Sequence, residues 1–211
     1  MSEIRIYVEG GGDRGDTRAA IRTGFNKFLE PLRGLAQEQR IRWNVTACGS
    51  RQSAYRDFQT ALRSHPDAFI VLLVDSEAPV VGGRWEHLRN REDGWDDHGG
   101  LSDDHCHLMV QTVEAWLVAD PDALARFYGQ NFQKGSLPRR DDVEEIPKAD
   151  LESSLGRATE RTQKGRYHKI RHCSDLLGLL DPRRVRSRAR HCELLFATLE
   201  ARMASMEKAG R

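Results

Sequence analysis

The run Phe69-Ile70-Val71-Leu72-Leu73-Val74 is followed at once by Asp75-Ser76-Glu77. No other stretch constrains the fold as much. Six consecutive apolar residues, all Phe, Leu or β-branched, leave no face for water, so they describe a strand covered on both sides. Such strands belong to parallel sheets flanked by helices, where ligands bind in the crevice beyond the carboxyl ends of the strands. Two carboxylates one residue apart emerge at that end here. An earlier strand, Ile4-Arg5-Ile6-Tyr7-Val8, ends in Glu9-Gly10-Gly11-Gly12 and brings a third acid to an equivalent position. Three carboxylates on one rim repel one another unless a cation sits among them. Oxygen-only ligation selects Mg²⁺ or Mn²⁺, with Glu9, Asp75 and Glu77 as the ligands.

The elements around these strands alternate. Residues 13–40 carry Ala20, Ile21, Phe25, Phe28, Leu29, Leu32 and Leu35 at helical spacing, with Pro31 kinking the helix or dividing it in two. Residues 41–48 alternate as a strand, 53–64 form an amphipathic helix, and Pro66-Asp67 opens the buried strand. Strand, helix, strand, helix, strand predicts an α/β fold with a central parallel, Rossmann-like sheet and right-handed crossovers. From 78 to 104 periodicity disappears among five glycines, Trp85, Trp95 and many charges, which reads as a long binding loop or lid. A short strand at 107–110 precedes a helix over 111–120, and Asp120-Pro121 caps another. Glu114 falls in the apolar run Val113-Glu114-Ala115-Trp116-Leu117-Val118. There it needs a metal, a base or backbone donors, unless it faces solvent on an amphipathic helix.

Residues 1–130 read as the α/β domain, 131–149 as a linker, and 150–211 as a basic helical extension packed on that domain. Helices are expected over 150–163, over 175–180, and from Pro182 toward Met206. The net charge of +1 hides an asymmetry: residues 134–211 hold 18 Lys and Arg against 12 acids, and residues 1–133 hold 15 against 20. An acidic metal-binding half with a basic half suits an enzyme acting on a polyanion; varied surface charge is the plainer account. Lys164 to Arg190, inclusive, contains nine Lys or Arg and two acids, with Arg166, Tyr167, Lys169 and Arg171 in or beside an exposed-looking turn. That turn suits phosphate contacts, and a solvated helical face competes with it.

The four cysteines form no CxxC pair, and the His-Cys neighbours fit no zinc-finger or ribbon spacing. With neither a signal peptide nor a transmembrane run, a soluble protein of the reducing cytoplasm, off the membrane, is expected. Gly10-Gly11-Gly12-Asp13-Arg14-Gly15 formally matches G-x-G-x-x-G between a strand and a helix. Glu9 would set a carboxylate against a pyrophosphate, however, and the second strand ends without an acid for a ribose, so a dinucleotide site is disfavoured. No Gly-Lys-Ser/Thr follows, which removes a P-loop. What remains is a glycine turn that lets backbone approach a phosphate at a helix N-terminus, with Arg14 as an extra clamp.

A first strand ending in Glu9-Gly10 and a later buried strand ending in Asp75-Ser76-Glu77 resembles the Toprim fold of topoisomerases, bacterial primases, OLD-type nucleases and recombination mediators. The likeness covers roughly residues 1–120 and departs at Glu77, where a second aspartate is usual. More closely, Ile6-Tyr7-Val8-Glu9-Gly10, the stretch from Val110 to Asp120, and Tyr167-His168-Lys169 look like small stand-alone Toprim proteins encoded beside ABC-type ATPases in arrangements similar to anti-phage systems. The resemblance implies a metal-dependent nuclease effector with an ATPase partner. Glu9, Asp75 and Glu77 would hold the metal, Glu114 would be a fourth acid, and Lys169, Arg166 and Arg171 would hold flanking phosphates of DNA or RNA. A non-catalytic docking module and phosphoryl transfer on a small nucleotide stand beside it.

Overall fold

The computed structural model describes residues 2–97 and 99–209. Among them are four strands and ten α-helices, and the strands make one all-parallel sheet. The strands are β1 (Glu3–Val8), β2 (Arg42–Ala47), β3 (Phe69–Asp75) and β4 (Cys106–Met109), in the order β2-β1-β3-β4. The protein is therefore α/β, with helices on both faces of the sheet.

The unbroken apolar run of β3 has its explanation in two cores. Phe69, Val71 and Leu73 point into one, and Ile70, Leu72 and Val74 into the other, as the two-residue period of a strand requires. The larger core lies under α1 (Gly15–Phe28), α2 (Glu30–Glu38), α5 (Val113–Ala119) and the helices that follow. The smaller one lies under α3 (Arg51–Ser64) and α4 (Arg84–Arg89). Both faces being dry, every residue of β3 is buried.

Several elements differ in detail from expectation. Pro31 divides rather than kinks: α1 ends at Phe28 and α2 restarts at Glu30 with proline in its first turn, where no N–H is needed. The stretch 78–104 is not structureless, because α4 lies within it and Trp85, Leu88 and Trp95 are buried against the sheet. A six-residue helix flanked by glycines is too short to display a period. Asp120 caps α6 (Pro121–Tyr128) by accepting from the Ala123 N–H.

The 131–149 segment contributes Leu137, Val143 and Ile146 to the larger core. It leads into α7 (Lys148–Thr159) and α8 (Lys169–Leu177), the second starting six residues earlier than its apolar pattern suggests. The final helix is two, α9 (Pro182–Arg188) and α10 (Arg190–Ala209), with extended backbone at Ala189 between them. At that break Arg188 donates to the carbonyls of Val118 and Ala119, satisfying groups that the C-terminus of α5 leaves open. No helix among the described residues is long and apolar enough to cross a membrane. All four cysteines are buried free thiols.

Candidate metal centre

Strand register brings the acids together. Val8 is level with Leu73 and the Glu9 N–H donates to the Leu73 carbonyl, so the chain leaves β1 beside the last residues of β3. Glu9 and Asp75 thus end neighbouring parallel strands. Beyond Asp75 the chain turns, and Glu77 adopts a left-handed backbone with φ of 65°, a conformation uncommon outside glycine. Its N–H is held by the Gln111 carbonyl at 2.7 Å. One oxygen from each of Glu9, Asp75 and Glu77 lies within 4.8 Å of the others, the only such His/Cys/Asp/Glu cluster among the described residues.

The donor set fits a hard divalent ion. Around an octahedral Mg²⁺ with bonds of about 2.1 Å, adjacent oxygens stand about 3.0 Å apart and opposite ones about 4.2 Å, so the three carboxylates would have to draw together to share one ion. A cationic side chain faces each acid. Arg51 Nη1 lies 3.6 Å from Glu9 Oε2, Lys148 Nζ 2.5 Å from Glu77 Oε2, and Lys169 Nζ 2.9 Å from Asp75 Oδ2. Asp75 is almost wholly buried; its Oδ1 accepts the Val113 N–H at 2.8 Å at the start of α5.

Those neighbours do not fully neutralise the cluster. Burial first and the Asp75 charge second push the Glu9 carboxyl from 4.5 up to about 7, against the opposing pull of Arg51. Asp75 is also raised, by burial foremost and by the Glu114 and Glu77 charges, despite Lys169. Lys169 shows the reverse balance: burial works against its charge, but Asp75 and Glu114 together hold it firmly protonated. Burial thus disfavours the carboxylate charges at this site, and a divalent cation is the kind of partner that could offset them.

Glu114 is buried in the first turn of α5 rather than facing solvent. The Tyr167 hydroxyl donates to its Oε1 at 2.9 Å, and Lys169 Nζ lies 3.4 Å from its Oε2. Although burial opposes its charge, Lys169 foremost among its partners leaves its carboxyl below the usual range. Glu114 stands outside the three-acid group and shares Lys169 with Asp75. Tyr167 is turned inward to that acid, so its hydroxyl is committed there and not at the surface. Arg14 is exposed and paired with Asp16, Arg166 packs its guanidinium against Gly156 of α7, and Arg171 is exposed on α8.

The glycine turn lies on the same rim. Gly10 and Gly49 exchange backbone hydrogen bonds, tying the ends of β1 and β2. Gly11 has φ of 92°, and a Cβ there would stand 2.7 Å from Arg18 Cα, so no side chain is tolerated where the turn meets α1. Among the described residues the N–H groups of Gly11 and Gly12 find no acceptor. A cavity of about 200 Å³ opens between this turn, Glu9, Asp75 and Lys169.

Two site residues escaped the sequence. Arg51 was findable, because it follows the Ser50 cap directly at the end of β2, on the rim the acids define. It stacks on Trp95 at 4.5 Å and also binds Asp93 and the Asp75 carbonyl. Lys148, one lysine in a polar stretch, gave no signal.

A family model for a domain of unknown function, DUF4276, matches residues 8–200. The chain belongs to the DUF4276 family. The matched span of this DUF4276 chain runs from the last residue of β1 into α10 and takes in Glu9, Asp75, Glu77, Glu114 and Lys169. Neither the curated proteins nor the solved structures provide a match.

Proposed function

We propose that this DUF4276 protein is a metal-dependent phosphodiesterase acting on nucleic acid, a nuclease-like effector of the Toprim kind. One observation carries the reading: three carboxylate oxygens from the ends of two paired strands converge within 4.8 Å on a cavity that also presents Lys169 and two unpaired backbone N–H groups. A bound Mg²⁺ or Mn²⁺ supplies Lewis-acid polarisation of a phosphate and a water of lowered pKa. The chain's own groups do the remainder. The N–H groups of Gly11 and Gly12 are available to phosphate oxygens, and Lys169, released from Asp75, offsets their charge. Where it does not hold the ion, Glu9, which carries a proton up to about pH 7, can instead serve as the acid that donates to the departing oxygen. Arg51 and the Val113 N–H hold Glu9 and Asp75 in register.

The Toprim likeness supports this reading and adds an ABC-type ATPase partner and an anti-phage setting to the proposal. A second reading has its own observation. Arg51, Lys148 and Lys169 each already face one carboxylate, which suits a non-catalytic docking module that needs no metal. Incubating plasmid, single-stranded DNA and tRNA with Mn²⁺ and wild type, Glu9→Ala or Asp75→Ala separates the two. Cleavage by wild type that is lost in both variants supports the phosphodiesterase; an inert wild type, with the proposed partner ATPase supplied, favours docking.

A further inference from the structure

The cavity beside the acids has two unlike sides. One is polar, with Glu9, Asp75 and Lys169. The other is apolar, formed by Ile21 and Phe25 of α1, Met109 at the end of β4, Val113 at the start of α5, and Ile170 and Cys173 of α8. Among the described residues, Ile170 is one of three large apolar side chains that stay exposed, at 52%, and it immediately follows the lysine that binds Asp75. Its Cδ1 lies 4.0 Å from where a Gly12 Cβ would be, so it stands at the mouth opposite the glycine turn. A phosphate site needs no apolar chamber.

We infer that this chamber receives a single unstacked nucleobase attached to the phosphate at the acids, so that the substrate is a single-stranded or locally opened nucleic acid. The inference rests on the phosphodiesterase reading and specifies its substrate. Size is compatible with it: a cavity of about 150 Å³ lined by apolar side chains accepts a benzene ring, and the whole pocket, its polar rim included, is about 200 Å³. Chemistry supports it as well. A base has an apolar face that packs on Ile170, the exposed apolar wall, while its sugar-phosphate stays with Lys169 and the glycine N–H groups. On the apolar side only the Cys173 thiol bears a hydrogen-bonding hydrogen, so the chamber accepts a base without reading its identity. A base within a duplex must first be flipped out, which costs unstacking and unpairing.

The test uses the full chain and a fluorescent single-stranded 12-mer carrying one abasic tetrahydrofuran residue, moved along the strand position by position. Affinity is read by anisotropy with Ca²⁺, and cleavage is read separately with Mn²⁺. Removal of one stacked base is expected to weaken binding about tenfold at a single position fixed relative to the cut, and to leave the other positions unchanged. A fully paired duplex should be cut more slowly than the single strand. Ile170→Trp, which fills the mouth from an exposed position, should bring the intact strand down to the abasic level while leaving Mn²⁺ binding intact.

Abasic indifference at every position, or duplex cut as fast as single strand, overturns the chamber; if cleavage persists, the phosphodiesterase reading survives it. Failure of the wild type to bind or cut any strand, with the proposed partner ATPase supplied, overturns both.

Discussion

The Glu9 carboxyl makes a quantitative prediction that sets stability against function. It sits 18% exposed beside Asp75, and its pKa is raised from 4.5 to about 7, chiefly by burial. A carboxyl whose pKa is raised on folding binds its proton more tightly in the native than in the unfolded state, so stability falls as pH rises from about 4.5 through about 7, and the loss is complete above that. At about 1.4 kcal/mol per pH unit the displacement amounts to about 3.4 kcal/mol at most, and coupling to Asp75 makes about 1 to 3 kcal/mol the working range. Glu9→Gln removes the charge but retains an oxygen for the Asp75 N–H, which now donates to Glu9 Oε2 at 3.2 Å. In EDTA the variant should be more stable than wild type at pH 8, by roughly 3 to 8 °C in Tm for a chain of this size. At pH 4.5 the advantage should be nearly gone, and Mn²⁺ should no longer stabilise the variant. Urea and thermal unfolding at the two pH values measure this. No gain at pH 8 would refute the electrostatic argument, and an equal gain at both would assign it to packing instead.

Three other substitutions probe the surrounding shell. Lys169→Met leaves Asp75 and Glu114 facing each other without their shared cation, and because the lysine is itself half exposed the expected cost is about 1 to 2 kcal/mol in urea unfolding, with cleavage lost. Lys148→Ala frees Glu77 from a competing ion pair worth at most about 1 kcal/mol, so Mn²⁺ should bind up to roughly fivefold tighter by calorimetry. Gly11→Ala forces a Cβ to 2.7 Å from Arg18 Cα at positive φ, so a loss of about 2 kcal/mol or more is expected, and wild-type stability would refute the close approach.

How much of this was legible depended on whether a signal was local. The parallel sheet was, because a strand covered on both faces cannot alternate, and Phe69 to Val74 does not. Glu9, Asp75 and Glu77 were placed together by the same reasoning, since the carboxyl ends of adjacent parallel strands share one rim. Lys169 and Glu114 were singled out without the pairing through Asp75 and Tyr167 that binds them, because that pairing spans 94 residues from Asp75 to Lys169. Tyr167, read as a phosphate contact from its basic neighbours, is an inward-facing donor; charge density along a turn says nothing of where a hydroxyl points. The helix at 84–89 and the early start of α8 were missed because tertiary burial of Trp85, His172 and Cys173 settles them, where a local period of so few residues cannot. The apolar chamber was invisible for the same reason: its walls come from α1, α5, α8 and the end of β4.

The central claim is that Glu9, Asp75 and Glu77 hold a divalent cation, and titration calorimetry with Mn²⁺ at pH 8 on wild type and Asp75→Asn tests it most directly. The asparagine keeps an acceptor for the Val113 N–H and removes only the charge. Saturable binding by wild type, weakened at least tenfold in the variant, is the predicted result. A wild type that binds no Mn²⁺, or a variant that binds it as tightly, would contradict the account.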